Sequence, residues 1–281
     1  MNLNFSEEQV MLKETIQKFC DNDYDFYKRE EVIKSENDFD LNTWNLFAEQ
    51  GWLSMPFSED SGGFGMGPIE LSILFEEFGK ALVIEPYLST VVLSGTLIDN
   101  SNYEHKKDII ERICSGSLHV SLAYAEAKNS YNYNLPSTSL SSDLLLNGTK
   151  SLVLNGGNAN KLVVSCIHND ELALVIVNAD KDGISMNTFP TVDGQSCAEI
   201  TFENVTINSE DVIGTGDNAL SLLNNAISLA TLCVSAEAVG CMSSCYLKTV
   251  AYTKEREQFG QPISNVQVLQ HRMVDMFIES E

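Results

Sequence analysis

The segment Arg256-Glu257-Gln258-Phe259-Gly260-Gln261-Pro262-Ile263, with Gln267 and Gln270-His271-Arg272 close behind, holds the residues best suited to grip an anion. A helix-compatible run precedes it and another follows Pro262. The segment therefore reads as a turn between two helices, with an arginine ending the first. The negative end of a helix dipole favours a cation there, and a planar guanidinium can hold a phosphate through two parallel hydrogen bonds. Gln267 adds an amide able to read a purine edge. A second reading of the same residues is a helix stop, in which Arg256 satisfies the last carbonyls and Gly260 ends the helix. The sequence leaves both open.

Other reactive constellations are sparse. There is no G-x-S-x-G elbow. His105, His119, His168 and His271 are dispersed without ligand spacing, and no metal site is expected. The 7 cysteines contain no CxxC pair. Cys241 and Cys245, one helical turn apart, read as small buried residues rather than as metal ligands. With no disulfide framework, a reducing cytoplasm fits. The opening Met1-Asn2-Leu3-Asn4-Phe5-Ser6-Glu7-Glu8 has neither the basic region nor the apolar core of a signal peptide. The loop Ser61-Gly62-Gly63-Phe64-Gly65-Met66-Gly67 lacks a Gly-Lys-Ser/Thr ending and a preceding strand, so it is not a phosphate loop. It reads as a tight entry into a helix at Pro68, with a secondary role in lining a ligand cleft left open.

These residues need a scaffold. The chain has 281 residues, 43% of them apolar, enough for one large or two to three small domains. Its 40 acids against 17 bases give a formal net charge of -23. That field repels nucleic acid and anionic membrane and excludes both as expected partners. It also opposes a polyanion such as coenzyme A at long range, so any such contact has to be local. The longest uncharged run, Ala219 to Ala236, contains Asn224 and Asn225 and reads as a buried helix of a soluble domain rather than a membrane span.

Residues 1–116 read as helices. Ser6 caps a run with Val10, Leu12, Ile16 and Phe19 at helical spacing, Asp40 or Asn42 starts a second helix, and Pro68 begins a third that ends at Gly79. Residues 117–213 change to short strand-like runs such as Leu144–Leu146, Leu152–Leu154, 161–165 and 172–177. Asn147-Gly148, Asn155-Gly156-Gly157 and Asp182-Gly183 are the expected turns. This pattern predicts an antiparallel barrel or sandwich. In residues 214–281 a helix of about 35 to 40 residues, roughly 55 Å long, is expected to reach Arg256. It is rich in small residues such as Ala238, Gly240 and Ser243 that permit close helix approach. A last helix carries the stripe Val266, Leu269, Met273, Met276 and Phe277. Two amphipathic helices do not close a core, so this third part is expected to be incomplete and the chain a fragment.

The turn Arg256-x-x-Phe259-Gly260-x-Pro262-Ile263 resembles the one that contacts FAD of a neighbouring subunit in the acyl-CoA dehydrogenase family. Asn4–Gln9, Gly51-Trp52-Leu53 with Pro56, and Gly62-Gly63-Phe64-Gly65 are also similar to that family, and the similarity spans the whole chain. Glu85-Pro86-Tyr87-Leu88, Ala236–Gly240 and Val268–Arg272 resemble most its small-subunit branch acting in pimeloyl-CoA dehydrogenation. The resemblance implies an α+β fold with an N-terminal helical domain, a β-domain and an incomplete C-terminal helical bundle. It implies α,β-desaturation of an acyl-CoA in fatty acid metabolism, FAD as cofactor, and electron-transfer flavoprotein as acceptor. The expected partner is a second acyl-CoA dehydrogenase subunit, or the chain itself in a tetramer. Arg256, Phe259, Gln267, Tyr124 and Glu126 are the implied cofactor-binding residues.

Departures from the family pattern fall on the chemistry. The family's usual catalytic glutamate would lie beyond residue 281, so the base is unknown. The alternative position on the long helix is occupied by Ala230, with Thr231 beside it, and Glu237 reads as a helix–helix hydrogen-bonding residue. The Thr-Glu before a Gly-Ser-Asp turn appears as Ala125-Glu126 followed by Lys128-Asn129-Ser130. The Trp-x-Thr of the next flavin-facing strand appears as Leu152-Val153-Leu154. Three readings follow: the small partner of a heteromer, a homo-oligomeric enzyme cut before its glutamate, and a scaffold keeping the fold alone.

Overall fold

A computed structural model describes residues 4–35, 38–128 and 132–281. The chain divides into two compact units, which do not follow the linear order of helices and strands. One gathers Met1–Glu30, Ile69–Val83 and Leu232–Glu281; the other gathers Glu31–Pro68 and Ile84–Thr231.

In the first unit, α1 (Glu7–Asn22) opens on a capping box, Ser6 and Gln9 each satisfying the other's backbone N–H. The unit also takes the start of α2 (Phe26–Lys34). The second unit holds α3 (Leu41–Glu49), capped by Asp40, and a return of chain leads from it to α4 (Pro68–Ala81). The sequence pattern had no place for α2. Gly79 does not end α4 as expected. It lies inside the helix, where a Cβ would collide with the Glu237 carbonyl of the long helix, and a Cβ at Gly240 would collide with the Glu76 carbonyl. Two glycines thus let two backbones touch, which any side chain there would prevent. Beside this crossing, Lys80 Nζ lies 2.8 Å from both Glu76 Oε1 and Glu77 Oε1, and Lys13 Nζ lies 3.4 Å from Glu76 Oε1.

The second unit continues with a π-helical stretch, Leu88–Gly95, running into α5 (Thr96–Asp99), and then α6 (Lys106–Cys114). The strands follow: β1 (Val120–Ala123), β2 (Ser139–Leu140), β3 (Leu145–Leu154), β4 (Lys161–His168), β5 (Glu171–Asn178), β6 (Ile184–Pro190), β7 (Ser196–Thr206) and β8 (Val212–Thr215). They form one sheet in the order β6-β7-β3-β2-β4-β5-β8, with β1 also on β4. The sheet is mixed rather than purely antiparallel, because β1 and β2 both run parallel to β4. Long connections permit that pairing. The tight Asn169-Asp170 loop, with φ of 49° and 64°, forces β4 and β5 antiparallel. Asn147-Gly148 is not a turn: it lies inside β3 (which takes Leu145 onward of the first expected run), opposite a bulge of β7 where Glu203 and Asn204 face Asn147 alone. Gly148, at φ 146°, is needed because a Cβ would press on Thr138. Leu146, Val153, Leu162, Val164, Val175 and Phe202 are among the buried residues of this core.

The long helix α7 (Gly216–Glu255) has 40 residues, and it leads through β9 (Glu257–Gln258) and β10 (Gln261–Pro262) to α8 (Gln267–Ser280). α7 is long and apolar enough to cross a membrane by length and composition, yet only 17% of its most apolar window is buried within the chain. The expectation of a buried helix is thus corrected: its middle is open. The α8 stripe is partly covered by α7. Phe277 packs on Tyr246 at 5.7 Å, and Thr253 lies 3.3 Å from the Met273 sulfur. Val266 and Phe277 of the stripe stay partly exposed, as do Val268, Val274 and Ile278 on α8.

The crossing of α4 and α7 gives a direct test. Gly240→Ala should lower the unfolding free energy by about 3 kcal/mol or more, because backbone has to move. Gly62→Ala, where a Cβ meets no atom within 4 Å, should cost only about 1–2 kcal/mol for its left-handed φ. Equal urea midpoints for the two variants would rule the close crossing out.

Candidate functional site

Beyond β1 the chain leaves the sheet through Tyr124, Ala125 and Glu126. Glu126 is 5% exposed, and its carboxylate accepts from Ser137 N (2.6 Å), Thr138 N (3.0 Å), Thr138 Oγ1 (2.7 Å) and Lys150 Nζ (2.8 Å). Lys150, on β3, is fully buried. Its other protons reach Ser165 Oγ at 3.0 Å and the Tyr124 carbonyl at 3.5 Å. Burial works to raise the Glu126 pKa, but the hydrogen bonds from Lys150, Thr138 and the backbone outweigh it and hold the carboxyl at about 2. Both oxygens are therefore engaged inside the chain. Tyr124 is half-buried, with its ring edge-on to Tyr133 at 6.0 Å, and burial raises its phenol pKa. Next to Lys150 the β3 register shifts. Leu152 stands there at φ 53° and 57% exposed, while Val153 is buried. Asn129 and Ser130 lie outside the described residues.

Arg256, Phe259 and Gln267 lie in the other unit. The Arg256 N–H donates to the Tyr252 carbonyl and its own carbonyl accepts from Ile263 N, both at 2.9 Å. The backbone itself thus closes α7. The guanidinium is exposed and has no hydrogen-bond or ion-pair partner among the described residues. This decides against the helix-stop reading for the Arg256 side chain. Phe259 and Gly260 form the two-residue loop between β9 and β10, with φ of 56° and 78°. Phe259 is 99% exposed on this left-handed backbone, an arrangement that costs about 1–2 kcal/mol. Gln267 is exposed at the first position of α8.

Elsewhere the expected chemistry is thin. Ala230 is buried, Thr231 donates to the Ile227 carbonyl at 2.8 Å, and Glu237 is half-buried. In the glycine loop, the N–H groups of Gly62, Gly63, Phe64, Gly65 and Met66 all go to nearby carbonyls, so it offers no phosphate cradle. Asp99 secures its start, accepting from Ser58 N (2.8 Å) and Ser61 Oγ (2.5 Å). No cluster of three or more metal-ligating side chains occurs among the described residues. Sequence reasoning missed Lys150, Thr138 and Ser165; the one signal was a lysine placed within an apolar strand.

Residues 6–117 match the acyl-CoA dehydrogenase N-terminal domain family, and residues 220–281 match the acyl-CoA dehydrogenase C-terminal domain family. The chain belongs to the acyl-CoA dehydrogenase family. It is 26% identical to a probable acyl-CoA dehydrogenase, YngJ, of Bacillus subtilis, covering 99% of this chain and 77% of that protein. It is 27% identical to the mitochondrial isovaleryl-CoA dehydrogenase of Solanum tuberosum, covering 98% and 70%. Among solved structures, the Tcur3481-Tcur3483 steroid ACAD G363A variant superposes with a TM-score of 0.87 at 26% identity, over 98% of this chain and 74% of that one. The FAD complex of PigA shares the fold, with a TM-score of 0.91 at 19% identity, over 100% and 77%.

FAD is the cofactor that goes with this family and fold. An acyl-CoA dehydrogenase needs donors for the flavin's phosphates and groups to meet its ring. The turn fits the first need: it has an unpaired guanidinium, an exposed amide and an exposed aromatic ring. The sheet side is different. Leu152 and Leu154 are apolar, and the Glu126 carboxylate is already engaged within the chain.

Two buried groups give the acyl-CoA dehydrogenase fold an acid limb. His119 lies between the rings of Phe39 and Trp44, each at 5.0 Å, and its Nδ1 has no hydrogen-bond partner among the described residues. Burial pushes its pKa from 6.5 down to about 4. The unfolded chain binds the extra proton between those values, so stability present above pH 6.5 is lost as pH falls towards 4. The Glu126 contribution is lost lower, as pH falls from about 4.5 to about 2. Between pH 7 and pH 5, urea unfolding should show a loss of about 2 kcal/mol that is absent in His119→Phe. The same loss in that variant would exclude His119 as its source.

Proposed function

We propose that this chain is the small, base-lacking subunit of a heteromeric FAD-dependent acyl-CoA dehydrogenase that desaturates an acyl-CoA thioester between its α and β carbons. Its free Arg256 guanidinium carries this reading. A side chain that neither caps its helix nor pairs with any of the described residues is available for a ligand. Held beside the exposed Phe259 and Gln267, it suits the pyrophosphate and adenine end of an FAD lodged mainly in another subunit. FAD, when bound, takes up the hydride from the β carbon. The α proton needs a carboxylate base. Ala230 and Thr231 supply none on α7; in the small-partner reading the companion subunit carries it, and in a homo-oligomer it would come from beyond residue 281. The ChsE4-ChsE5 complex from Mycobacterium tuberculosis, which shares this fold with a TM-score of 0.89, supports the pairing of unlike chains. The small-subunit likeness in Glu85–Leu88 and Ala236–Gly240 supports a pimeloyl-type acyl group. Electron-transfer flavoprotein is the expected acceptor.

Arg256→Ala should weaken FAD retention in the assembled complex by about 10- to 100-fold, as expected for a charge-assisted contact of about 1.5–3 kcal/mol. The melting of this subunit should hardly change. Arg256→Lys should recover only part of the loss, because an ammonium cannot make the paired contact. Flavin content of the co-purified complex and thermal melting read the two effects separately. Unchanged FAD affinity with a sharply lowered melting temperature would return Arg256 to a purely structural role.

A further inference from the structure

Three segments converge on Lys150: the Tyr124 carbonyl and Glu126 carboxylate beyond β1, Ser165 on β4, and its own strand at the register shift. An ammonium has three protons, and each has an acceptor here. The neighbouring Ser151 N–H donates to the Ala125 carbonyl at 2.9 Å, tying the same two segments a second time. Glu126 in turn holds Ser137 and Thr138 at the start of the next strand. A buried ion pair is a poor source of net stability compared with apolar packing. What it supplies is direction, because its hydrogen bonds fix the backbone at both ends. A leucine in the left-handed region persists only where its surroundings over-determine it, and Leu152 stands at φ 53° two residues after Lys150.

We propose that Glu126 and Lys150 are positioning residues, a clamp that holds the backbone of residues 124–127 and 151–154 in the shape that meets the flavin ring. This rests on FAD as the family's cofactor, with a ring at this chain's own sheet, a different flavin from the one Arg256 is proposed to grip in another subunit. It explains how a sheet whose ring-facing side chains are apolar keeps a defined surface: the shape is carried by backbone held from behind. It also gives Glu126 a role through other groups rather than by touching the cofactor.

The test uses the full chain. Lys150→Met alone would leave a buried, unpaired carboxylate and is expected to misfold. Glu126→Gln with Lys150→Met removes both charges while the amide oxygen keeps an acceptor for Thr138, and only the Ser137 N–H loses its partner. In the flavin-free double variant, amide hydrogen exchange at residues 124–127 and 151–154 should quicken at least 10-fold, with the rest of the sheet unchanged. FAD titration should show affinity weakened by a similar factor, with a less resolved visible absorption band. Exchange equal to wild type at those amides overturns the clamp, whatever the flavin does. So does exchange raised evenly through the sheet, or a double variant that cannot fold, since either would make the pair a stability element. Locally raised exchange in a chain whose wild type takes up no FAD would remove the flavin ring from this chain's own sheet and overturn that part of the proposal, while the Arg256 reading stands or falls on flavin content of the assembled complex.

Discussion

A lysine ammonium inside a sheet is tolerable only when every proton is accepted and its charge is met. Lys150 satisfies both conditions, and much of the second unit is arranged around that demand. Glu126 leaves β1 to meet it. Thr138 completes Glu126, and Gly148 has to be a glycine so that Thr138 can come close. The β2–β4 parallel pairing brings the Ser139 strand beside β4, whose Ser165 takes the remaining proton. One buried charge therefore links β1, β2, β3 and β4. Loss of any one partner would expose the whole set to the cost of an unpaired group.

The first unit is organised by the opposite device, the removal of side chains. Gly79 and Gly240 bring the backbones of α4 and α7 into contact, a distance that dispersion rewards and that any Cβ forbids. The Lys13, Lys80, Glu76 and Glu77 group beside it is partly exposed apart from Glu77, so screening limits its contribution. Sterics rather than charge thus sets this crossing. Past it, α7 shows Leu232, Val234, Val239 and Leu247 to solvent. Its regularity there comes from helical propensity and end constraints rather than from core packing within the chain.

Local rules made much of this legible. The Ser6 box, the Asp40 cap, the Pro68 start, the alternation from helix to strand and the long helix all follow from interactions spanning a few residues. The failures share a cause, which is partners distant in sequence. Gly79 looked like a helix end because its partner, Glu237, lies far along the chain. Asn147-Gly148 reads as a hairpin because the local pair is the same in a strand that faces a bulge, and only Thr138 and the β7 bulge distinguish the two. The parallel pairings of β1 and β2 leave no local trace. At the candidate site, the Arg256 turn could be read because its residues are contiguous. The Lys150 network could not, since Glu126, Thr138 and Ser165 have no periodic relation to it.

The Arg256 turn and the Glu126 segment, each within its own unit, obey different electrostatics. A chain of net charge -23 repels a dinucleotide at range, so its attraction must act within the screening length of about 8–10 Å. Arg256 meets this condition because no acid among the described residues pairs with it, although Glu255 and Glu257 flank it in sequence. The left-handed Phe259-Gly260 loop turns the backbone sharply and closes a two-residue hairpin, so the residues after it fold back towards Arg256. On the sheet side the chain's acid is hidden: Glu126 is neutralised by Lys150 and so presents no anion to a phosphate-bearing ligand. An unpaired carboxylate at that place would repel an anionic ligand there. Burying one charge pair while leaving one arginine open therefore makes a strongly acidic chain locally compatible with an anionic ligand.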